Sequence, residues 1–304
     1  GLVNPYTTFD CSSDRVIHRG RELKLPDDDH SFDHPLSVAE IIARSSNRGA
    51  AHLGLRLGEE RLHRYARAFG FGRRLGFPVG GEVTGTLAAP EDWDSLTITR
   101  LPMGHAVDCT ALQMHQAMST IANGGVLMRP QLVRQISDAS GDVVFYREEG
   151  IEIGRAVSPD TARTVALMLM GVASPQGTAP EAAIRREGVD YHVAGKTGTT
   201  QKLVGEVRTD GTTRLVYSRK HHVASFVGFF PATAGPDERQ VAISVIVDDA
   251  DARAVGGTAY GRTVAAPSFK SIGEKLIPIL DIKPPDTGAA IRPGLIAATR
   301  GGRR

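Results

Sequence analysis

Apolar residues recur with helical spacing over most of the chain and with strand spacing over a later part of it. Capping residues mark several helix starts, such as Ser37-x-x-Glu40 and Thr110-x-x-Gln113. The pattern predicts helices over residues 36–44, 50–57, 59–69, 111–122 and 159–170, strands over 189–193, 223–230 and 241–247, a hairpin over 201–218 and a closing helix over 260–280.

The order of these elements predicts the fold class. Helices fill the middle, strands follow in close succession with turns between them, and a helix closes the chain. This order favours an α+β fold, with an antiparallel sheet flanked by helices and a helical subdomain, over alternating βαβ units. Residues 1–284 are predicted to be the C-terminal part of one domain. Residues 285–304, rich in Gly, Ala and Arg, are predicted to be a disordered tail.

Composition excludes several classes of function. The net charge of +2 and the 6% aromatic content argue against a nucleic-acid partner. No apolar run approaches the roughly 20 residues of a membrane span, and no signal peptide is visible. Cys11 and Cys109 lie too far apart for a zinc knuckle. The acidic and histidine residues at 27–34 are read as a solvated turn, and neither a metal nor a cofactor is expected.

Two short motifs carry candidate chemistry. Gly195-Lys196-Thr197-Gly198-Thr199 follows the alternating run 189–193, where an ammonium and two hydroxyls can hold a carboxylate. The glycines let a ligand backbone come close to this strand end. Ser45-Ser46-Asn47 lies at a predicted helix junction. There the plain alternative is that Ser46 or Asn47 caps the second helix.

Together these motifs resemble a known family. Ser-x-Asn followed by Lys-Thr-Gly is the pair that penicillin-recognising acyl-serine enzymes carry. The flanking sequence is similar to the transpeptidase domain of class B penicillin-binding proteins, and Ser-Ser-Asn is closer to the septal, cell-division type. The similar segments run over residues 36–42, 45–51, 110–114, 121–125, 224–231 and 264–270.

The resemblance implies a peptidoglycan D,D-transpeptidase, which cross-links stem peptides ending in D-Ala-D-Ala through an acyl-serine intermediate. It also implies β-lactams as inhibitors, division or cell-wall synthesis proteins as partners, and no cofactor. The implied location is the cell envelope, on the periplasmic face of the inner membrane, with an anchor that is not in this chain.

The resemblance also implies roles for matching residues. Ser45 would relay a proton to the leaving nitrogen, and Asn47 would hydrogen-bond the substrate amide. Lys196 would add positive potential. Thr197, Gly198 and Thr199 would form the substrate-binding strand: the threonines would bind the ligand carboxylate, and the Thr199 N–H would supply half of an oxyanion hole.

The family's third motif is not in this sequence. No serine has a lysine three residues after it, so the Ser-x-x-Lys nucleophile is missing. The family places this motif before Ser-x-Asn. We therefore expect the chain to be an N-terminally truncated fragment, with the nucleophile upstream of Gly1, and we expect the fragment alone to be inactive.

Two other interpretations stay open. A serine β-lactamase or D,D-carboxypeptidase shares Lys-Thr-Gly but needs an activated water, and no acidic residue is evident for that purpose. A non-catalytic relative would keep the fold and bind peptidoglycan without an acyl-enzyme.

Overall fold

The computed structural model describes residues 1–235, 237–251, 253–254, 256–257 and 259–285. The chain divides into two compact units. The first contains residues 1–41 and 46–165, and the second contains residues 42–45 together with the described residues from Ala166 onward.

Helices form where the helical spacing predicts them. The Ser37–Glu40 capping box is present, because Ser37 Oγ accepts from Glu40 N at 3.2 Å and Ser37 N donates to the Glu40 carboxylate at 2.9 Å. The α-helices of the described residues are α1 (Val38–Arg44), α2 (Asn47–Leu57), α3 (Glu59–Ala68), α4 (Thr97–Arg100), α5 (Ala111–Ala122), α6 (Pro159–Met170), α7 (Gly261–Val264) and α8 (Ala266–Ile279).

The strands pair in antiparallel fashion throughout the described residues, mostly as short two-stranded ribbons. They are β1 (Thr8–Phe9), β2 (Arg15–His18), β3 (Arg21–Lys24), β4 (Leu36–Ser37), β5 (Thr86–Leu87), β6 (Val107–Asp108), β7 (Val126–Met128), β8 (Gln135–Ser137), β9 (Val143–Tyr146), β10 (Glu152–Arg155), β11 (Arg185–Arg186), β12 (Val189–Asp190), β13 (Ala194–Val207), β14 (Thr213–Phe230) and β15 (Val241–Asp248).

A three-stranded antiparallel sheet, in the order β13-β14-β15, organises the second unit. Its core is aromatic: Phe226 and Phe230 of β14 pack edge-on against Phe269 of α8, with ring centroids 4.8 and 6.4 Å apart. The three rings are fully buried. They fix α8 against the sheet. The strand order makes β13 an edge strand among the described residues, so the Lys-Thr-Gly segment has a neighbouring strand on one side only.

The first unit is helical with short ribbons, and a buried glutamine holds one of its loops. Gln113 Nε2 donates to the carbonyl oxygens of Arg73 at 2.9 Å and Thr84 at 2.8 Å. Gln113 Oε1 accepts from Thr110 N at 2.9 Å. The side chain is 1% exposed. It therefore satisfies carbonyl groups that the irregular segment between α3 and β5 would otherwise bury unpaired.

The predicted strand over 189–193 is wrong as a continuous strand. Its alternating apolar residues are buried or partly buried as expected, but His192 has a φ of 48° and ends the extended run. Val189 and Asp190 form β12 and pair instead with the preceding strand, β11. The next strand, β13, begins only at Ala194. Alternation predicted the buried face, but no local pattern signals the left-handed conformation of His192.

The predicted closing helix is divided in two, because α7 ends at Val264 and α8 begins at Ala266. Pro267 lacks the amide hydrogen that would bond to the carbonyl of Thr263, which accounts for the interruption.

The α+β fold class is confirmed: helices α7 and α8 pack with an antiparallel sheet in one unit, and helices dominate the other. The predicted turn at residues 210–211 does connect two paired strands, β13 and β14. The assignment of residues 1–284 to the C-terminal part of one domain stays a prediction. The predicted disordered tail, residues 285–304, lies outside the described residues apart from Pro285.

We expect Gln113→Ala to lower the free energy of unfolding by about 2–3 kcal/mol, because it leaves buried carbonyl groups without a donor. Gln135→Ala is the control, since Gln135 lies exposed on β8 and its loss is expected to cost about 0.5 kcal/mol or less. Urea denaturation measures both variants. Equal effects would contradict the role assigned to Gln113.

Candidate active site

The second unit brings Lys196 and Ser45 together. Lys196 Nζ donates to Ser45 Oγ at 2.7 Å, although the two residues lie far apart in sequence. Nζ also donates to the Thr197 carbonyl at 3.2 Å and lies 3.4 Å from Thr197 Oγ1. An ammonium and a hydroxyl at this distance can exchange a proton.

Ser45 reaches Lys196 from a left-handed backbone conformation. It follows α1 with a φ of 57°, which is unfavourable for a residue with a Cβ. Ser45 N still donates to Ile42 O at 3.3 Å, so the residue closes the end of α1. The motif serine is thus held in a strained turn, as is common where a side chain must point in one direction.

Burial changes the acidity of Lys196. The residue as a whole keeps some exposure, but its ammonium group lies among packed neighbours. Burial lowers the pKa of Lys196 from 10.5 to about 8. The group is therefore mostly charged at pH 7, but it can give up its proton much more readily than an exposed lysine.

The motif continues along β13 with Thr197, Gly198 and Thr199. Thr199 Oγ1 accepts from Gly261 N at 3.2 Å, which leaves its own hydrogen available to donate. A Cβ at Gly198 would come within 2.5 Å of Ser225 Oγ on the neighbouring strand, so the position requires glycine or a shift of that serine. The two hydroxyls and the ammonium lie on one short segment of edge strand.

Two residues that lie beside this segment, Thr178 and Gly261, were not predicted. Thr178 Oγ1 lies 3.4 Å from Thr197 Oγ1, and Thr178 N donates to Ala43 O at 3.1 Å. Gly261 comes so near the strand that a Cβ there would be 2.2 Å from Ser225 O. Neither residue has a distinctive local pattern. Only the folded chain places them beside the motif.

Asn47 and Ser46 belong to the first unit. Ser46 caps α2, since its Oγ accepts from Gly49 N at 2.9 Å, and the alternative that Ser46 is a helix cap is therefore confirmed. Asn47 is the first residue of α2, and its Nδ2 donates to Asp27 O at 2.8 Å. Capping by Ser46 and the Ser45–Lys196 contact use different residues of the same tripeptide.

The acidic segment at residues 27–34 has a more specific structure than a solvated turn. Asp28 is half-buried, and its Oδ2 accepts from Ser46 Oγ at 2.9 Å. Within the described part of the chain, no group of three or more His, Cys, Asp or Glu side chains is arranged to hold a metal ion.

Comparison with known proteins identifies the family. Residues 1–274 match the family model described as the penicillin-binding protein transpeptidase domain. The match covers most of the chain, so the chain belongs to this family.

Individual relatives agree with this assignment. Stage V sporulation protein D of Bacillus subtilis is 33% identical over 245 residues, covering 81% of this chain and 34% of that protein. Penicillin-binding protein PbpB of Mycolicibacterium smegmatis is 32% identical over 284 residues, covering 91% of this chain and 40% of that protein. The chain thus spans about two fifths or less of these curated relatives.

The fold is also similar to solved structures. Penicillin-binding protein 3 of Mycobacterium tuberculosis, in complex with ampicillin, superposes with a TM-score of 0.75 at 27% identity, covering 95% of this chain and 60% of that one.

The positive φ of Ser45 predicts that Ser45→Gly is more stable than Ser45→Ala by about 1 kcal/mol, because only glycine adopts this conformation without strain. Both variants remove the hydroxyl, so their difference isolates the backbone. Chemical denaturation measures it. Equal stabilities would show that Ser45 is not strained.

The lowered pKa of Lys196 predicts a pH dependence of stability. Between about pH 8 and 10.5 the unfolded chain holds the Lys196 proton more tightly than the folded chain, so stability rises with pH in this window. Relative to Lys196→Met, the wild type is expected to gain on the order of 1–3 kcal/mol from pH 7.5 to 10.5. Denaturation at both pH values tests this, and a constant difference would refute it.

Proposed function

We propose that this chain is part of a penicillin-binding peptidoglycan D,D-transpeptidase, of the septal type, that cross-links stem peptides through an acyl-serine intermediate. The observation that carries the proposal is the 2.7 Å contact between Lys196 Nζ and Ser45 Oγ at the start of the Lys-Thr-Gly strand. Membership of the transpeptidase family supports it.

In this proposal the ligand carboxylate binds at Lys196, Thr197 and Thr199. Thr199 supports the assignment because its hydroxyl oxygen already accepts from Gly261 N, so the hydroxyl hydrogen is free to point to an anion. The ammonium adds charge at neutral pH, since the pKa of Lys196 is about 8. A D-Ala-D-Ala terminus and the acid group of a β-lactam both supply such a carboxylate. Ampicillin, a β-lactam, is bound in the structure of the Mycobacterium tuberculosis relative.

Ser45 relays a proton to the leaving nitrogen. As the amide bond breaks, Ser45 gives its hydroxyl proton to the departing amine and receives one from Lys196 Nζ, which donates to Ser45 Oγ. The low pKa of Lys196 favours this transfer. Asn47 hydrogen-bonds the substrate amide, and the Thr199 N–H supplies one of two oxyanion donors.

The attacking serine is assigned to a Ser-x-x-Lys motif that these 304 residues do not contain. Its hydroxyl adds to the D-Ala-D-Ala carbonyl, D-Ala leaves, and an amine from a neighbouring peptidoglycan strand reacts with the acyl-enzyme ester to form the cross-link.

The site of action is the cell envelope, on the periplasmic face of the inner membrane, alongside division or cell-wall synthesis proteins. In the described part of this chain, no helix is both long and apolar enough to cross a membrane.

Fluorescent penicillin tests the proposal on the product of the intact gene. We expect covalent labelling, and we expect Lys196→Ala to slow it by at least about a hundredfold, because charge and proton relay are both lost. Lys202→Ala is the matched control. Lys202 lies on the same strand but pairs with Asp248 at 2.8 Å, and its loss is expected to leave the labelling rate within about twofold.

Other outcomes separate the alternatives. Absence of labelling in the intact product would favour a non-catalytic relative. Hydrolysis of a stem peptide without transfer to an acceptor amine would favour a carboxypeptidase or β-lactamase. The 304-residue chain by itself is expected to stay unlabelled, since it has no Ser-x-x-Lys, and labelling of it would contradict the assignment of the nucleophile.

A further inference from the structure

A carboxylate outside the family motifs holds the end of the helix that carries Asn47. Asp28 Oδ1 accepts from the backbone N–H groups of Asn47 and of Arg48, the latter at 3.2 Å. Its other oxygen, Oδ2, accepts from Ser46 Oγ at 2.9 Å. Asp28 lies some 20 residues earlier in the chain, in the segment that links β3 to β4.

Together with Ser46, Asp28 satisfies the first turn of α2. Ser46 Oγ accepts from Gly49 N at 2.9 Å while it donates to Asp28. The first three N–H groups of the helix, those of Asn47, Arg48 and Gly49, therefore all have acceptors. A negative charge at this end is also favourable to the helix dipole.

The same segment fixes the Asn47 side chain. Asn47 Nδ2 donates to the carbonyl oxygen of Asp27 at 2.8 Å, so one side-chain N–H is committed and the plane of the amide is set. The backbone of Asn47 is held by Asp28 and its side chain by Asp27. Two adjacent residues thus determine where the remaining donor and acceptor of Asn47 point.

The segment is itself anchored. Pro26 is buried, and Leu25 is fully buried with its N–H donating to Asp14 O at 2.7 Å. Arg48 Nη1 donates to the carbonyl oxygen of Ser12 at 2.7 Å and Nε to that of Pro26 at 3.4 Å. Because these contacts hold its segment in place, Asp28 can restrict the movement of the first turn of α2.

We propose that Asp28 is a positioning residue for Asn47, holding it where it binds the substrate amide. The inference rests on the proposed function, because it takes Asn47 to contact the ligand. Asp28 itself touches no reacting atom. Its contribution is orientation, which is costly to lose because small displacements of a binding group reduce reaction rates strongly.

A double-mutant cycle on the intact gene product tests the proposal, with the second-order rate of labelling by fluorescent penicillin as the readout. Asp28→Ala is expected to slow labelling by about tenfold to a hundredfold. In the Asn47→Ala background, the same change is expected to have less than about a twofold effect, since there is no longer an amide to position. If Asp28→Ala slowed labelling equally in the wild-type and Asn47→Ala backgrounds, the proposal would be overturned, and Asp28 would only stabilise the fold.

Two further variants sharpen the result. Asp28→Asn keeps an oxygen that can accept from the Asn47 and Arg48 N–H groups, so it is expected to recover most of the labelling rate. Asp29→Ala removes the same charge at the next, exposed position and is expected to stay within about twofold of wild type. A loss with Asp29→Ala equal to that with Asp28→Ala would mean that net charge, and not the contact, matters.

Hydrogen exchange separates this inference from the proposed function. The Asn47 and Arg48 amides are expected to lose protection in Asp28→Ala and keep it in Asp29→Ala, whether or not any penicillin reacts. If wild type is not labelled but the amides behave as expected, the proposed function fails while the anchoring contact stands. Unchanged protection of these amides in Asp28→Ala would refute the anchoring itself.

Discussion

The hydrogen bond between Lys196 and Ser45 is the interaction on which the candidate site depends. It joins a strand edge to the turn after α1, and both ends are unfavourable by themselves. Lys196 is desolvated, which lowers its pKa to about 8, and Ser45 sits at a φ of 57°. Such costs persist only where the surrounding fold determines the geometry. Here the aromatic packing of β14 against α8 fixes the sheet that presents Lys196.

The tripeptide Ser45-Ser46-Asn47 contains both a helix cap and a residue that contacts Lys196. Ser46 is a helix cap, fully occupied by Gly49 N and Asp28, whereas Ser45 is turned to Lys196. A cap and a functional serine are often treated as competing explanations of the same sequence. In this protein Ser46 is the cap, and the neighbouring Ser45 contacts Lys196. The strain at Ser45 is a consequence of ending one helix and starting another within three residues.

Hydrogen-bonded support around the motifs is as specific as the motifs themselves. Gly261 orients the Thr199 hydroxyl by giving it a donor, and Thr178 approaches Thr197. Asp28 accepts hydrogen bonds from the first two backbone N–H groups of α2. Motif residues supply charge and hydroxyl groups, but groups that lie elsewhere in the sequence contact them: a backbone N–H at Gly261 and side-chain oxygens at Thr178 and Asp28. A site of this kind tolerates little displacement, because its donors act over hydrogen-bond distances.

Periodicity and short motifs by themselves determined the α+β class, most helices, the hairpin at residues 210–211 and the identity of Lys196, Thr197 and Ser45 as candidate residues. These properties are local, since spacing and capping act within a few residues. Tertiary structure alone decided the break at His192, the strain at Ser45, the pKa of Lys196 and the contacts of Asp28, Thr178 and Gly261. Burial and contacts between distant segments set these properties, and no local pattern records them.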